Sequence, residues 1–329
     1  MKIRRVLTGL GALLALAAFL PVRSFSQQAP AGGVHPDVIY GDDDRIDVYA
    51  ANAKLKAMAA STVGLFQGSG VTLTEDKQSY RLDTQSYGDS YGLCQDEPFR
   101  DQRSGAFCSG SLVAPDIIMT AGHCVTSEDN CKNIKFVFGF SISKQGGETP
   151  SSVPATEVYG CAQLIGRDQQ NSGADWSLIK LDRAVSNHAP LKINRSGPPA
   201  KGTPLVVIGH PAGLPTKVAG GATVRESDKG GYFTANLDTY GGNSGSAVFN
   251  AVTGQIEGIL VRGEQDFTYD SARQCRKSNV CPADGCRGED VTLVSVPGAK
   301  IPNSGPSAAL ADPGPALRSL QSLAGQSSR

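Results

Sequence analysis

The chain has 329 residues, is 40% hydrophobic and 19% charged, and balances 31 Lys and Arg against 31 Asp and Glu. That length supports one large domain or two smaller ones with a proper core. Net neutrality gives no hint of nucleic acid or an anionic lipid surface as a partner, and no nucleic acid partner is expected.

At the N-terminus "MKIRR" precedes the apolar run "VLTGLGALLALAAFLPV", and "SFSQQ" offers Ser24 and Ser26 at cleavage spacing. A basic stretch, an apolar stretch and small residues in that order predict a secretory signal peptide over 1–26, cut after Ser26. The bland alternative is a membrane anchor, because the run approaches spanning length; no other segment does, so no membrane contact is expected once the signal is removed. Export places the eight cysteines (94, 108, 124, 131, 161, 275, 281 and 286) in an oxidising compartment. None has the paired CxxC spacing of a zinc ribbon, so disulfides are expected, with open connectivity, and neither a metal site nor a cofactor. Residues 27–37, rich in Gln, Ala, Gly and Pro, read as a pro-segment or spacer.

Next, "DVYAANAKLKAMAAS" carries apolar residues at helical spacing. From about Ser61 to Val296 the pattern changes to short β runs separated by Gly, Pro, Asn and Asp. Examples are "FCSGSLV", "DIIMTA", "IKFVFGF", "DWSLIKL", "PLVVIG", "YFTANL", "SAVF" and "IEGILV". Many short strands at such intervals predict an all-β sandwich or barrels. "RAVSNHAPLKINRSGPPAKGTP" lacks a strand pattern and reads as a linker between two halves, while 301–329 is Ser, Ala, Pro and Gly-rich and is expected to be disordered.

Within "TYGGNSGSAV", glycines surround Ser244. A strand interior gains nothing from them, whereas sharp turns and close backbone approach need them. A serine hydroxyl is a poor nucleophile until a base takes its proton, and the base needs an orienting group. Of four histidines, His35 and His188 lie in polar, poorly placed segments, and His210 in "VIGHPAG" reads as a structural turn residue. His123 in "TAGHC" directly follows a strand, and Asp175 opens the apolar run "DWSLIKL", unusual for an acid without a partner.

Together "CSGSLVAPDIIMTAGHC", "DWSLIKLD" and "GGNSGSAVF" resemble the chymotrypsin-like (trypsin-fold) serine proteases in their His, Asp, Ser order. "GNSGS" is more similar to the bacterial glutamyl-endopeptidase branch than to the animal enzymes, which have Asp before the serine. The resemblance, over about Val38 to Val296, implies a protease domain at 38–300. It would hold two antiparallel six-stranded β-barrels, at about 61–183 and 203–296, with the active site in the cleft between them. It implies Ser244 as nucleophile, His123 as general base, Asp175 as the group that orients it, and an oxyanion hole from the Gly242 and Ser244 amides. It also implies a Cys108–Cys124 disulfide and a loop-anchoring role for Asn243.

The resemblance also implies that the residue six before the nucleophile, Asp238, sits at the base of the specificity pocket, flanked by Thr239, with Gly263 keeping the wall open. An acid there implies cleavage after Arg or Lys. The bland reading pairs Asp238 with Arg262 as an ordinary strand-end ion pair. Tyr240 stands where trypsins have a cysteine, and Leu260 where glutamyl endopeptidases carry a carboxylate-binding histidine. "VIYGDDDR" resembles the mature start of glutamyl endopeptidases, so removal of the pro-segment near Asp37–Val38 is expected. Its acidic run reads as a solvated turn rather than a calcium site. Cys131 and Cys161 bracket two strands and could pair, and Cys94 could join Cys275, Cys281 or Cys286. The expectation is therefore a secreted serine endopeptidase acting on protein or peptide substrates. The alternatives are the same protease with Glu or small-apolar preference, or a catalytically silent binding homologue.

Overall fold

In the computed structural model, which describes residues 38–303, the polypeptide is built almost wholly from antiparallel strands. The proposed signal peptide, the pro-segment with His35, and nearly all of the expected tail lie outside the described residues. No helix among the described residues is long and apolar enough to cross a membrane.

Six strands form the first barrel: β1 (Thr62–Gln67), β2 (Cys108–Ala114), β3 (Ile117–Thr120), β4 (Ile134–Val137), β5 (Val158–Gln169) and β6 (Asp175–Leu181). They close in the order β4-β5-β6-β3-β2-β1. The second barrel comprises β7 (Pro204–Gly209), β8 (Lys217–Glu226), β9 (Tyr232–Ala235), β10 (Ala247–Asn250), β11 (Ile256–Arg262) and β12 (Glu289–Leu293). Its order is β7-β10-β11-β12-β9-β8, and β8 pairs back onto β7 to close it. The architecture is therefore two closed six-stranded antiparallel barrels.

Period-two side-chain alternation explains why several strands read as unbroken apolar runs. In β7, Leu205 and Val207 face the interior of the second barrel, while Val206 and Ile208 join the large cluster that also holds Leu65, Ile118 and Phe136 of the first. β10 and β11 divide likewise: Val248 and Leu260 point inward, Phe249 and Ile259 toward the shared cluster. Both faces are buried, so neither needs polar residues.

The segment 183–203 between the barrels carries no strand of its own. The helical stretch is shorter than its periodicity suggests, because Asn52 accepts the Leu55 amide as an N-cap and starts α1 at Ala53–Ala59. Before it, an N-terminal arm adds Arg45–Asp47 to the edge of β8 and pairs Ile39–Tyr40 in parallel with Val280–Cys281. Four disulfides use all the cysteines: Cys94–Cys275, Cys108–Cys124, Cys131–Cys161 and Cys281–Cys286.

Candidate active site

β3 ends at Thr120, and the turn after it lifts His123 to the edge of the first barrel. Gly122 is indispensable in that turn, since a Cβ there would lie 2.0 Å from the carbonyl oxygen of Asp168. Asp175, the first residue of β6, faces this turn and is 1% exposed. Its Oδ2 lies 2.8 Å from His123 Nδ1, and its Oδ1 accepts the amides of Gly122 (2.6 Å) and His123 (3.1 Å). Burial alone would raise this carboxyl. The imidazole contact and the two amides outweigh it and hold Asp175 below the ordinary carboxylate range.

Three side chains brace this pair. The Thr292 hydroxyl of β12 accepts the Asp175 amide at 2.9 Å and donates to its carbonyl at 3.0 Å. Arg167 donates through Nε and a terminal nitrogen to the Gly122 carbonyl. Arg262 reaches from β11 to the Gln170 and Gly173 carbonyls, in the turn leading into β6, while its Nε holds Asp290 at 3.0 Å. None of the three was singled out for this role from sequence. The β12 run "EDVTL" contains no signal that separates a bracing hydroxyl from a strand hydroxyl.

Ser244 lies in the loop before β10 and is 6% exposed. Its carbonyl accepts the Ser109 amide of β2 at 2.8 Å, and Cys124 Sγ, in the residue after His123, is 3.6 Å from the same oxygen. The His123 turn and the Ser244 loop therefore meet at one seam between the barrels. The flanking glycines are required there. Gly245, at φ +90°, would drive a Cβ to 2.1 Å from both the Ser109 carbonyl and Thr120 Oγ1; Gly242, at φ +97°, would drive one to 2.7 Å from the His210 carbonyl. Asn243 Oδ1 accepts the Ser246 hydroxyl at 3.1 Å. The Gly242 and Ser244 amides, the expected oxyanion donors, meet no acceptor among the described residues. The sulfurs of Cys108 and Cys124 lie close to the His123 ring but are bonded to each other, so they offer no thiolate to a metal.

Residues 108–259 match the trypsin-like peptidase domain family. Snake venom serine protease 3 of Protobothrops jerdonii is 32% identical over 117 residues, 35% of this chain and 42% of that protein. A trypsin of Sarcophaga bullata is 32% identical over 114 residues, 34% of this chain and 42% of that one. The chain thus spans less than half the length of these relatives. Among solved structures, a Glu endopeptidase in complex with MPD aligns with a TM-score of 0.45 at 18% identity, covering 80% of this chain and 98% of that one. The matched stretch, 108–259, contains His123, Asp175 and Ser244.

Arg262 does not pair with Asp238; it is committed to Asp290 and the 170–173 turn. Asp238, 3% exposed, accepts the Tyr40 amide on Oδ1 (2.7 Å) and the Asp44 amide on Oδ2 (2.8 Å), both from the N-terminal arm. Burial pushes its carboxyl up, the two amides pull it back, and the charges of Asp43 and Asp44 raise it again, to about 7. Thr239 beside it is fully buried, and its hydroxyl has no hydrogen-bond partner among the described residues. Gly263 follows β11 directly. Leu260 is sealed inside the second barrel and cannot face a substrate. Tyr240 packs on Phe267 with ring centroids 4.8 Å apart, so aromatic contact stands where trypsins use sulfur. His188 is remote from the site, bonded to Glu157 at 2.7 Å and stacked on Phe138.

Proposed function

We propose that the chain is a secreted serine endopeptidase that hydrolyses peptide bonds through His123, Asp175 and Ser244. The observation that carries this reading is the Asp175 carboxylate: one oxygen on His123 Nδ1, the other on two amides, across a seam from Ser244. Held at Nδ1, the imidazole presents Nε2 as the base. His123 takes the Ser244 proton as Oγ attacks the substrate carbonyl, and the Gly242 and Ser244 amides receive the oxyanion. The protonated imidazole, stabilised by Asp175, returns the proton to the leaving amine. Water then repeats the sequence on the acyl-enzyme.

A preference for Arg or Lys is the finer part of the proposal. Asp238 lies close enough to Asp43 and Asp44 to feel both charges, and Arg45 bonds Asp43 through two nitrogens. A substrate cation would relieve the remaining repulsion and favour the ionised carboxylate. Removal of the segment before Val38 and the passage of the chain out of the cell belong to the same reading.

The deciding experiment is cleavage-site profiling of a peptide library with protein starting at Val38, alongside Ser244→Ala. Cuts after Arg and Lys that vanish in the variant support both parts. Serine-dependent cuts elsewhere retain the triad and remove the pocket assignment. A folded protein that neither cleaves nor reacts with a fluorophosphonate favours a silent binding homologue.

A further inference from the structure

The turn at the end of β7 lies directly beneath the Ser244 loop. A Cβ on Gly209 would sit 1.8 Å from Ser246 Oγ and 2.7 Å from Asn243 Oδ1. The next residue, His210, is fully buried. Its amide donates to Ser109 Oγ at 2.9 Å, and that hydroxyl donates to the Gly242 carbonyl at 2.8 Å. Its ring stacks on Phe140, with centroids 5.8 Å apart, and Nδ1 lies 2.9 Å from the Leu214 carbonyl oxygen. A carbonyl only accepts, so Nδ1 carries the proton of a neutral imidazole. Nε2 has no hydrogen-bond partner among the described residues.

This bond closes a turn with an unusual interior. Gly213 donates to the His210 carbonyl and Leu214 to that of Pro211, while Ala212 is held at φ +50°, a left-handed conformation that a residue with a Cβ rarely adopts. The Ala212 amide, so directed, donates to the Gly241 carbonyl at 2.6 Å. A trans peptide points its carbonyl and its N–H in opposite directions. Fixing the Gly241 oxygen on the turn therefore aims the Gly242 N–H away from it, and that amide has no acceptor among the described residues.

We propose that His210 is the positioning residue of the oxyanion hole: its Nδ1–H bond to Leu214 latches the 210–214 turn, whose Ala212 amide orients the Gly241–Gly242 peptide. The inference rests on the oxyanion reading of Gly242 given above. It assigns to a histidine outside the triad a role that neither substrate nor nucleophile contact would reveal.

The test compares His210→Asn, whose side-chain amide can replace the Nδ1–H donor, with His210→Phe, which keeps a stacked ring and loses the donor. Each is assayed for kcat and KM on a peptide amide, for affinity toward a peptide aldehyde that forms a hemiacetal with Ser244, and for Tm. His210→Phe is expected to lose about 10- to 100-fold in kcat, part of what removing a whole oxyanion donor costs. Aldehyde affinity should fall in parallel, with KM within about twofold, and His210→Asn should retain most of both. Unchanged kcat and aldehyde affinity in His210→Phe overturn the proposal, as do equal losses in both variants that track Tm. If His210→Phe does not fold, nitrogen NMR of the wild-type ring decides: protonated Nδ1 at neutral pH supports the latch, and protonated Nε2 overturns it. A wild-type protein that neither cleaves nor reacts with a fluorophosphonate overturns the protease reading, and this inference with it; an active wild type with an equally active His210→Phe overturns this inference alone.

Discussion

At the scale of single residues, two buried groups make the protein pH-sensitive in separate ways. Burial, and to a lesser extent the Lys217 charge, push the His210 ring down to about 4 from 6.5, against the opposing pull of the Leu214 carbonyl. Between those values the unfolded chain takes up a proton that the folded one refuses. Stability therefore falls as pH drops from about 6.5 to 4, by about 3 kcal/mol, and this component is flat outside that window. Thermal unfolding of wild type and His210→Phe across pH 4–7 isolates it, because the variant lacks the titrating ring. Asp238 has the opposite displacement, up to about 7, so its carboxylate forms only as pH rises through neutrality. The proposed preference for Arg over Leu at the cleavage site is expected to grow through that range. Asp238→Asn should reduce Arg cleavage roughly 30-fold or more and make the Arg-to-Leu ratio independent of pH. The residues of the proposed triad stand out in the sequence because each sits in a motif whose chemistry would need it. The engagement of Asp238 by the arm does not, because its two donors are backbone amides 198 and 194 residues away, and amides leave no signature in a sequence.

At the scale of elements, the site is assembled by hydroxyls that cross between the barrels. Ser109 of the first barrel holds Gly242 of the second through its hydroxyl and Ser244 through its amide, and the Thr292 hydroxyl of the second holds Asp175 of the first. Thr292→Val preserves shape but leaves a buried amide and carbonyl of Asp175 unpaired. It is expected to cost about 2–4 kcal/mol of stability and to lower kcat, with Thr292→Ser restoring both; chemical denaturation and steady-state kinetics measure the two effects. The strands whose apolar runs face two clusters were plain in the sequence, among them β7, β10 and β11. Those whose full extent is harder to read share a physical reason. β5 carries register shifts at Cys161/Gln163 and Leu164/Gly166, β8 holds a Gly-Gly pair with Gly221 at positive φ, and β12 begins with two buried acids, Glu289 and Asp290. Bulges and buried charges break the alternation on which strand recognition depends.

At the scale of the whole molecule, disulfides and ion pairs stitch peripheral segments to the barrels. Cys94–Cys275 joins the long excursion between β1 and β2 to the hairpin between β11 and β12. Replacing both cysteines by alanine is expected to cost about 2–5 kcal/mol, lowering Tm by roughly 5–15 °C in differential scanning calorimetry. The arm is secured by buried charges instead. Arg45 bonds Asp43 and lies over the rings of Tyr240 and Phe99, and Lys217 bonds Asp47 at 2.6 Å and Gln102 at 2.7 Å. Which cysteine joins Cys94 was open in the sequence because three candidates lie within twelve residues of one another. The chain pairing of Leu93 with Arg276 settles it by placing Cys275 alongside.

The arm's partners also set the order in which this molecule can assemble. Residues 39–47 pair with Lys217–Ala219 and Val280–Cys281 and bind Asp238, all far later in the chain. Emerging first, the arm must wait for the last barrel strands before any of its pairings exist, and closing such long loops is slow. The first barrel, made of residues 62–181, can form while the chain is still emerging. The second barrel can close on itself, but its outermost strand and the floor under Asp238 arrive only when the two ends of the domain meet. Folding thus finishes at the proposed specificity pocket around Asp238, so an incompletely folded molecule would hold the Ser244 loop without the arm's two amides on that carboxyl.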